Sequence, residues 1–559
     1  MDAPLRSPGW WKNAVVYQVY PRSFMDSDGD GVGDLPGITS RLDHLARLGV
    51  DVLWLSPVFR SPMDDNGYDI SDYDDVDPLF GTLADLDDLI AGCHDRGIRV
   101  VMDLVVNHTS DEHPWFVESR DPDAPKRDWY WWRPPRDGGP PTNWESLFGG
   151  PAWEYDERSG EYYLHVFSRK QPDLNWENPE VRAAVYAMMR RWVARGVDGF
   201  RMDVIELIAK ETDLRDGVPA EGRELAGAVG LAFGPRLHEF LTEMNREVGI
   251  AEEHLFTVGE MATATPELAR EVTDPARPML DMVFTFEHMW QDEEPGRGKW
   301  ALRDLHLPDL KASLARWQTG LAEVGWNSLY WENHDQPRVV SRWGDDGEHR
   351  VTSAKTWATV LHLHRGTPYV YQGEELGMTN AGFTRLEQYA DLESVNHARE
   401  ALARGVPEAE VMRSLAVKSR DNARTPMQWD AGEHAGFTSG TPWLPATANH
   451  DVVNAEAALA DPGSVFHHYR ALIDLRHHED VVVDGRFDLL LPDDPALWAF
   501  TRTLGDTVLL VLANCSSSPA TVPAGAVPDL AASEVLLPTH GTSHSLTLQP
   551  WESRIHRLR

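Results

Sequence analysis

The sequence predicts an α/β chain built on a (β/α)8 barrel of the TIM type, with an inserted domain after strand three and a C-terminal all-β sandwich. Three observations carry that reading. Short apolar runs alternate with amphipathic helical segments through the first 380 residues, one interval between runs is too long for a βα unit, and the last eighty residues turn to short strands.

The first run, VVYQVY at 15–20, is followed by Ile38, Leu42, Leu45 and Leu48 at helical spacing and then by a buried-strand run at 50–55. Leu83, Leu86, Leu89 and Ile90 repeat the helical pattern before a strand at 98–106. Further strands are expected at 197–203, 255–260, 282–286, 328–332 and 368–372, which makes eight. Between the third and fourth lie about ninety residues. The excess, rich in Trp, Pro, Asp and Gly, reads as an inserted domain at 109–176, because structureless loops of that length are uncommon. The barrel is expected to occupy 1–108 and 177–478, with a long excursion at 378–462 that carries one charged helix at 392–417. Residues 479–559, with VVVDGRFDLLL, ALWAFTRTL, DTVLLVLANC and SEVLLP, form the all-β domain.

At 559 residues the chain has room for three or four domains at most. Hydrophobic residues make up 42% and charged residues 25%, the balance of an ordinary globular protein. Against 89 acidic residues stand 52 Lys and Arg, a net charge of −37 that repels nucleic acid and anionic lipid. Only eight of the basic residues are Lys, which fits either an Arg-rich codon bias or adaptation to salt. Cys93 and Cys515 lie far apart and make no disulfide framework. The start lacks an apolar signal core, and no run of about 18 apolar residues occurs, so a soluble cytoplasmic protein is expected. The 22 Trp are expected mostly in the core, although flat rings also stack on sugars.

Chemistry gathers at the strand ends. Strand three ends in Asp103, Asn107 and His108; strand four carries Arg201 and Asp203; strand five ends in Glu260; strand seven ends in Glu332, Asn333, His334 and Asp335. One such group alone is more often a cap or a structural ion pair, but barrel strand ends converge on one face. Retaining glycosidic cleavage needs a nucleophilic carboxylate and a carboxylic acid about 5–5.5 Å apart, which adjacent strands can supply through Asp203 and Glu260. Arg201, two residues before Asp203, is expected to hold that carboxylate ionised, and Asp335 to keep Glu260 protonated by like-charge repulsion. A metal-site reading of the same groups is weaker, because no HExxH-type spacing occurs.

The motifs DLVVNH (103–108), QPDLN (171–175), GFRMDV (199–204), VGEM (258–261), ENHDQPR (332–338) and NARTPMQW (422–429) resemble those of the α-amylase family, glycoside hydrolase family 13, in its oligo-1,6-glucosidase and α-glucosidase branch. The resemblance spans essentially the whole chain. It implies a catalytic barrel, an inserted domain B and a C-terminal β-sandwich. It implies Asp203 as nucleophile, Glu260 as general acid/base and Asp335 as transition-state stabiliser. Sugar contacts are implied for Asp65, Tyr68, His108, Arg201 and His334, with Phe148 and Phe167 lining the leaving-group side. For the two phenylalanines, a place in the core of domain B is the competing reading. Arg424, or Arg420 in its stead, matches the arginine that pairs with Asp65 and closes the pocket beyond the non-reducing end, favouring exo-action.

Asp26-Ser-Asp28-Gly-Asp30-Gly-Val32-Gly-Asp34 is similar to the start of an EF-hand loop but has Gly37, not Glu, at its twelfth position. In the resembled branch this stretch binds a structural Ca²⁺ through Asp26, Asp28, Asp30, the Val32 carbonyl and Asp34, with Mg²⁺ as the other candidate. No organic cofactor is implied. Val204, directly after Asp203, goes in that branch with α-1,6 linkages. The expected activity is removal of terminal α-1,6-linked glucose from isomaltose and short neutral oligosaccharides, with α-1,4 links as secondary targets and some transglycosylation, by a monomer or homodimer. The competing readings are a glucosyl transferase or isomerase acting on sucrose, trehalose or maltose, against which the absence of an RLDRD-type loop counts, and a non-enzymatic relative, against which the three retained carboxylates count.

Overall fold

All eight expected strands are present and parallel in a computed structural model, which describes residues 9–219 and 225–558. The first eight residues, residues 220–224 and the last residue of the expected domain ranges lie outside it. The strands are β1 (Val16–Val19), β2 (Val52–Leu55), β3 (Arg99–Val105), β4 (Gly199–Asp203), β5 (Phe256–Glu260), β6 (Met282–Phe284), β7 (Ser328–Leu329) and β8 (Thr367–Tyr371). They run in the order β6–β5–β4–β3–β2–β1–β8–β7, and a bridge between Val283 and Asn327 closes the ring. Every residue of β1, β2, β4 and β5 is buried, as expected of strands with helices on one side and a packed barrel interior on the other. Helices return the chain between strands. Leu83–His94 starts at a Thr82/Asp85 capping box, and Pro179–Arg195 stops at Gly196.

Within 109–176 the strands Trp132–Arg133, Trp153–Asp156 and Glu161–Leu164 form a separate antiparallel sheet. Its side chains pack as a second small core around Trp131, Trp144 and Trp153. In the last segment Arg486–Leu490, Leu497–Leu504, Thr507–Asn514, Ser553–Leu558 and Glu534–Val535 form an antiparallel sheet, with a two-stranded sheet beside it. The run VVVD, read as strand from its β-branched residues, is instead the short helix Asp480–Asp484, whose three valines are buried.

The excursion after β8 also departs from expectation. In place of one helix at 392–417 there are two, Leu392–Ala403 and Glu408–Lys418. Gly405 has φ +83°, a left-handed conformation that stops the first helix, and Pro407 opens the second.

Candidate active site

Register places the carboxylates. Val105 pairs with Asp203 across β3 and β4, and Gly259 pairs with Met202 across β4 and β5, which brings Glu260 level with Asp203. Alternation turns Arg201 to the same side as Asp203. The buried Arg201 guanidinium then meets three carboxylates: Asp103 at 2.8 Å, Asp203 at 2.6 Å and Glu260 at 2.7 Å. Burial pushes the Asp203 carboxyl well above the usual carboxylate range; Arg201 pulls it down, and the charges of Glu260 and Asp103 push it up again. Arg201 does pull on the Asp203 carboxyl as expected, but its one guanidinium is shared among three acids.

Asp335 is set among basic side chains and a histidine. Asp335 accepts a hydrogen bond from Arg424 Nη2 at 2.7 Å and lies 3.3 Å from both Arg420 Nη1 and His334 Nε2. Burial alone would raise its carboxyl, but the neighbouring His334 ring and the positive charges of Arg420 and Arg424 hold it well below the usual carboxylate range, and with His334 neutral it is the two arginines that do so at physiological pH. It is an anion gripped by two arginines, and the like-charge contacts of the site lie among Asp103, Asp203 and Glu260.

Val204 has φ 37° and ψ 41°, a left-handed conformation that is rare for a β-branched residue and costs roughly 1–3 kcal/mol. The turn directs its N–H onto Glu260 Oε2 at 3.0 Å and leaves its side chain on the cavity wall. On the other flank, Gln18 Nε2 lies 2.8 Å from His334 Nδ1, His334 Nε2 lies 2.7 Å from the Tyr68 hydroxyl, and that hydroxyl donates to Asp103 at 3.0 Å. Burial pushes the His334 imidazole down to about 3, so it is neutral at physiological pH. Tyr68 stacks on His334 at 5.2 Å between ring centres and also lines the cavity. Asp103, given no role from sequence, is the acceptor for Arg201, Tyr68 and Trp54 together.

The wall beyond these groups is built by Asp65, which meets Arg420 Nη2 at 3.2 Å and accepts from Gln171 Nε2 at 3.2 Å. Arg420, not Arg424, is thus the contact partner of Asp65; Arg424 is directed onto Asp335 and the His334 carbonyl. Both arginines lie at the start of the short helix Asp421–Arg424 or within it, and only its packing decides which faces Asp65. His108, 2% exposed, lines the cavity beside Gln171. Phe167 does both things weighed for it, packing on the small core of the insertion and lining the cavity; Phe148 lines the cavity and meets the Phe167 ring edge-on at 5.4 Å.

The cavity has a volume of about 1110 Å³. One wall comes from helix Leu392–Ala403 and the residue just past it, through Glu393, His397, Glu400 and Arg404 at i, i+4, i+7 and i+11. Asn396 of this helix donates to the Phe148 carbonyl at 3.1 Å and joins it to the insertion. Trp290 and Trp300 also line the cavity, and Trp300 stacks on His397 at 4.2 Å. The helix spacing was visible in the sequence, but nothing there showed what it faces.

The acidic loop after β1 lies apart from these groups. Asp26, Asp28 and Asp34 each offer a carboxylate oxygen within 4.8 Å of the others. Asp30 does not join them; its carboxylate accepts from the Val32 N–H at 2.8 Å. Asp34 also caps helix Leu35–Ser40 by accepting from the Gly37 N–H at 2.6 Å. A Cβ on residue 37 would sit 2.0 Å from the Met25 carbonyl oxygen, so the backbone here has no room for a Glu at the twelfth position.

The alpha-amylase catalytic-domain model matches residues 18–485. The chain belongs to the α-amylase family. Its similarity to the oligo-1,6-glucosidase branch is extensive: it is 54% identical to an oligo-1,6-glucosidase of Parageobacillus thermoglucosidasius over 98% of this chain and 99% of that one. It is 53% identical to the oligo-1,6-glucosidase of Halalkalibacterium halodurans, with the same coverage. A crystal structure of Bacillus licheniformis trehalose-6-phosphate hydrolase superposes with a TM-score of 0.93 at 47% identity, covering 98% of this chain and 99% of that one. The family is one of glycoside hydrolases, and the carboxylates at the ends of β4, β5 and β7 open onto one cavity as such chemistry requires.

Proposed function

We propose that the protein is an exo-acting retaining α-glucosidase that releases terminal non-reducing α-1,6-linked glucose from short neutral oligosaccharides such as isomaltose, accepts α-1,4 links less well, and transglycosylates. The observation that carries this reading is the side-by-side placement of Asp203 and Glu260, joined through Arg201, at a cavity walled by Asp65 and Arg420. Asp203 attacks the anomeric carbon while Glu260 protonates the glycosidic oxygen; Glu260 then deprotonates the water that hydrolyses the glucosyl ester. The site's carboxylates together face the positive charge that develops on the ring, with Asp335 kept anionic by its arginines. Tyr68, His108, His334, Phe148 and Phe167 bind and orient the sugar.

The linkage preference is supported by the similarity to two oligo-1,6-glucosidases and by Val204, whose branched side chain lies on the cavity wall next to Glu260. Among the described residues eight acidic side chains besides Glu206, and five basic ones, line the cavity, an excess that disfavours a phosphorylated sugar like the one in the name of the Bacillus licheniformis enzyme. The test is a disaccharide panel followed by NMR. Isomaltose should be consumed with α-glucose appearing first; β-glucose first would overturn the retaining course. Inert isomaltose with turnover of sucrose or trehalose would move the reading to a transferase or isomerase. Val204→Ala should raise the ratio of maltose to isomaltose kcat/KM by roughly 10-fold.

A structural divalent cation at Asp26, Asp28 and Asp34, Ca²⁺ first and Mg²⁺ second, belongs to the same reading, since three converging carboxylates repel without one. It would tie the loop after β1 to the excursion, whose Thr438 hydroxyl donates to Asp26 at 2.5 Å. Millimolar Ca²⁺ added after chelation should raise Tm by about 2–4 °C, and Asp26→Ala should abolish that response. Among the described residues no helix is long and apolar enough to cross a membrane. Residence in the cytoplasm, as monomer or homodimer, completes the proposal and suits two cysteines that are both free thiols.

A further inference from the structure

Glu206 is a buried carboxyl on the cavity wall that the mechanism above leaves unused. It sits in the turn Ile205–Leu207 that follows β4, three residues after Asp203. Its Oε2 accepts from the backbone N–H and the hydroxyl of Thr263, at 3.4 and 3.3 Å. Thr263 stands three residues after Glu260, so the loops leaving β4 and β5 are joined a second time beyond the two reacting carboxylates. These contacts are long, and the backbone N–H of Ala262 also bears on the carboxyl. Thr263 and Ala262 share the cavity wall with Glu206. The groups that close the far end, Asp65, Arg420, His108 and His334, make their hydrogen bonds elsewhere. Glu206 therefore lies with the proton donor, on the side where the departing sugar must lie.

Burial pushes the Glu206 carboxyl up to about 8; the Thr263 N–H pulls it down and nearby Glu260 raises it again. A carboxyl that keeps its proton at neutral pH offers a donor and an acceptor together, which suits a sugar hydroxyl. We propose that the Glu206 carboxyl binds hydroxyl groups of the departing sugar and so favours a saccharide leaving group over one without hydroxyls. The inference rests on the retaining-glucosidase reading above and assigns a residue to its leaving-group side.

The test compares isomaltose with 4-nitrophenyl α-glucoside, whose leaving group carries no sugar hydroxyls. Glu206→Ala should lower kcat/KM on isomaltose by about 10- to 100-fold and change the aryl glucoside by less than about 3-fold. Glu206→Gln, which keeps an uncharged donor and acceptor, should restore isomaltose to within about 3-fold of wild type. Parallel loss on both substrates, or no loss on isomaltose, would overturn the proposal. So would failure of Glu206→Gln to rescue. Should the Ala variant not fold, Glu206→Asp, which withdraws the carboxyl by one methylene, takes its place with the same expected split. If wild-type protein leaves isomaltose intact, the α-1,6 reading fails, and the comparison is made with whichever disaccharide it does cleave.

Discussion

Asp203→Asn is expected to lower kcat/KM by at least about 10⁴-fold, on isomaltose and on 4-nitrophenyl α-glucoside alike. An amide cannot form the glucosyl ester, and no leaving group compensates for a missing nucleophile. The fold should survive. Asparagine keeps the volume, and its carbonyl can accept the bond that Arg201 makes to Asp203 at 2.6 Å. It also removes one of three buried acids that press on one guanidinium, so Tm should stay level or rise. Kinetics with circular dichroism checks both halves; activity near wild type would remove Asp203 from the nucleophile's role.

Glu260→Gln is expected to separate the two substrates. On isomaltose, whose alkoxide leaves poorly, loss of the proton donor should lower kcat/KM by about 10²–10⁴-fold. Nitrophenolate leaves without a proton, so glucosyl ester should form on the aryl glucoside and then accumulate, because water lacks its base. Azide needs no base. Added azide should therefore speed turnover and yield α-glucosyl azide, seen by NMR. An equal loss on both substrates with no azide product would deny Glu260 the acid/base role.

The barrel was legible because its strands are continuous apolar runs that end in polar residues, and the run at 15–20 lies within one residue of β1 at both ends. The Arg201–Asp203 contact followed from the two-residue period of a strand, which needs no knowledge of partners. Where two readings share one local pattern, the sequence could not choose. Arg420 and Arg424 are one helical turn apart, and tertiary packing alone sends the first to Asp65 and the second to Asp335. The valines at 481–483 are strand formers, yet burial of all three suits a short helix there. Glycine at 405 marked the helix break in plain view, but the period on either side is similar enough to bridge it. Trp290 and Trp300 were hidden in a composition figure, since a count of tryptophans gives none of them a position.

On the exo-acting reading proposed above, the wall that Asp65 and Arg420 build also fixes the order of events in a cycle. With that end shut, sugars enter and leave on the leaving-group side, and the departing sugar held there must clear first. Glucose, made at the blind end, is the last to go. Until it goes it competes with the next substrate for the same seat, so free glucose acts as a brake that tightens as the reaction nears completion.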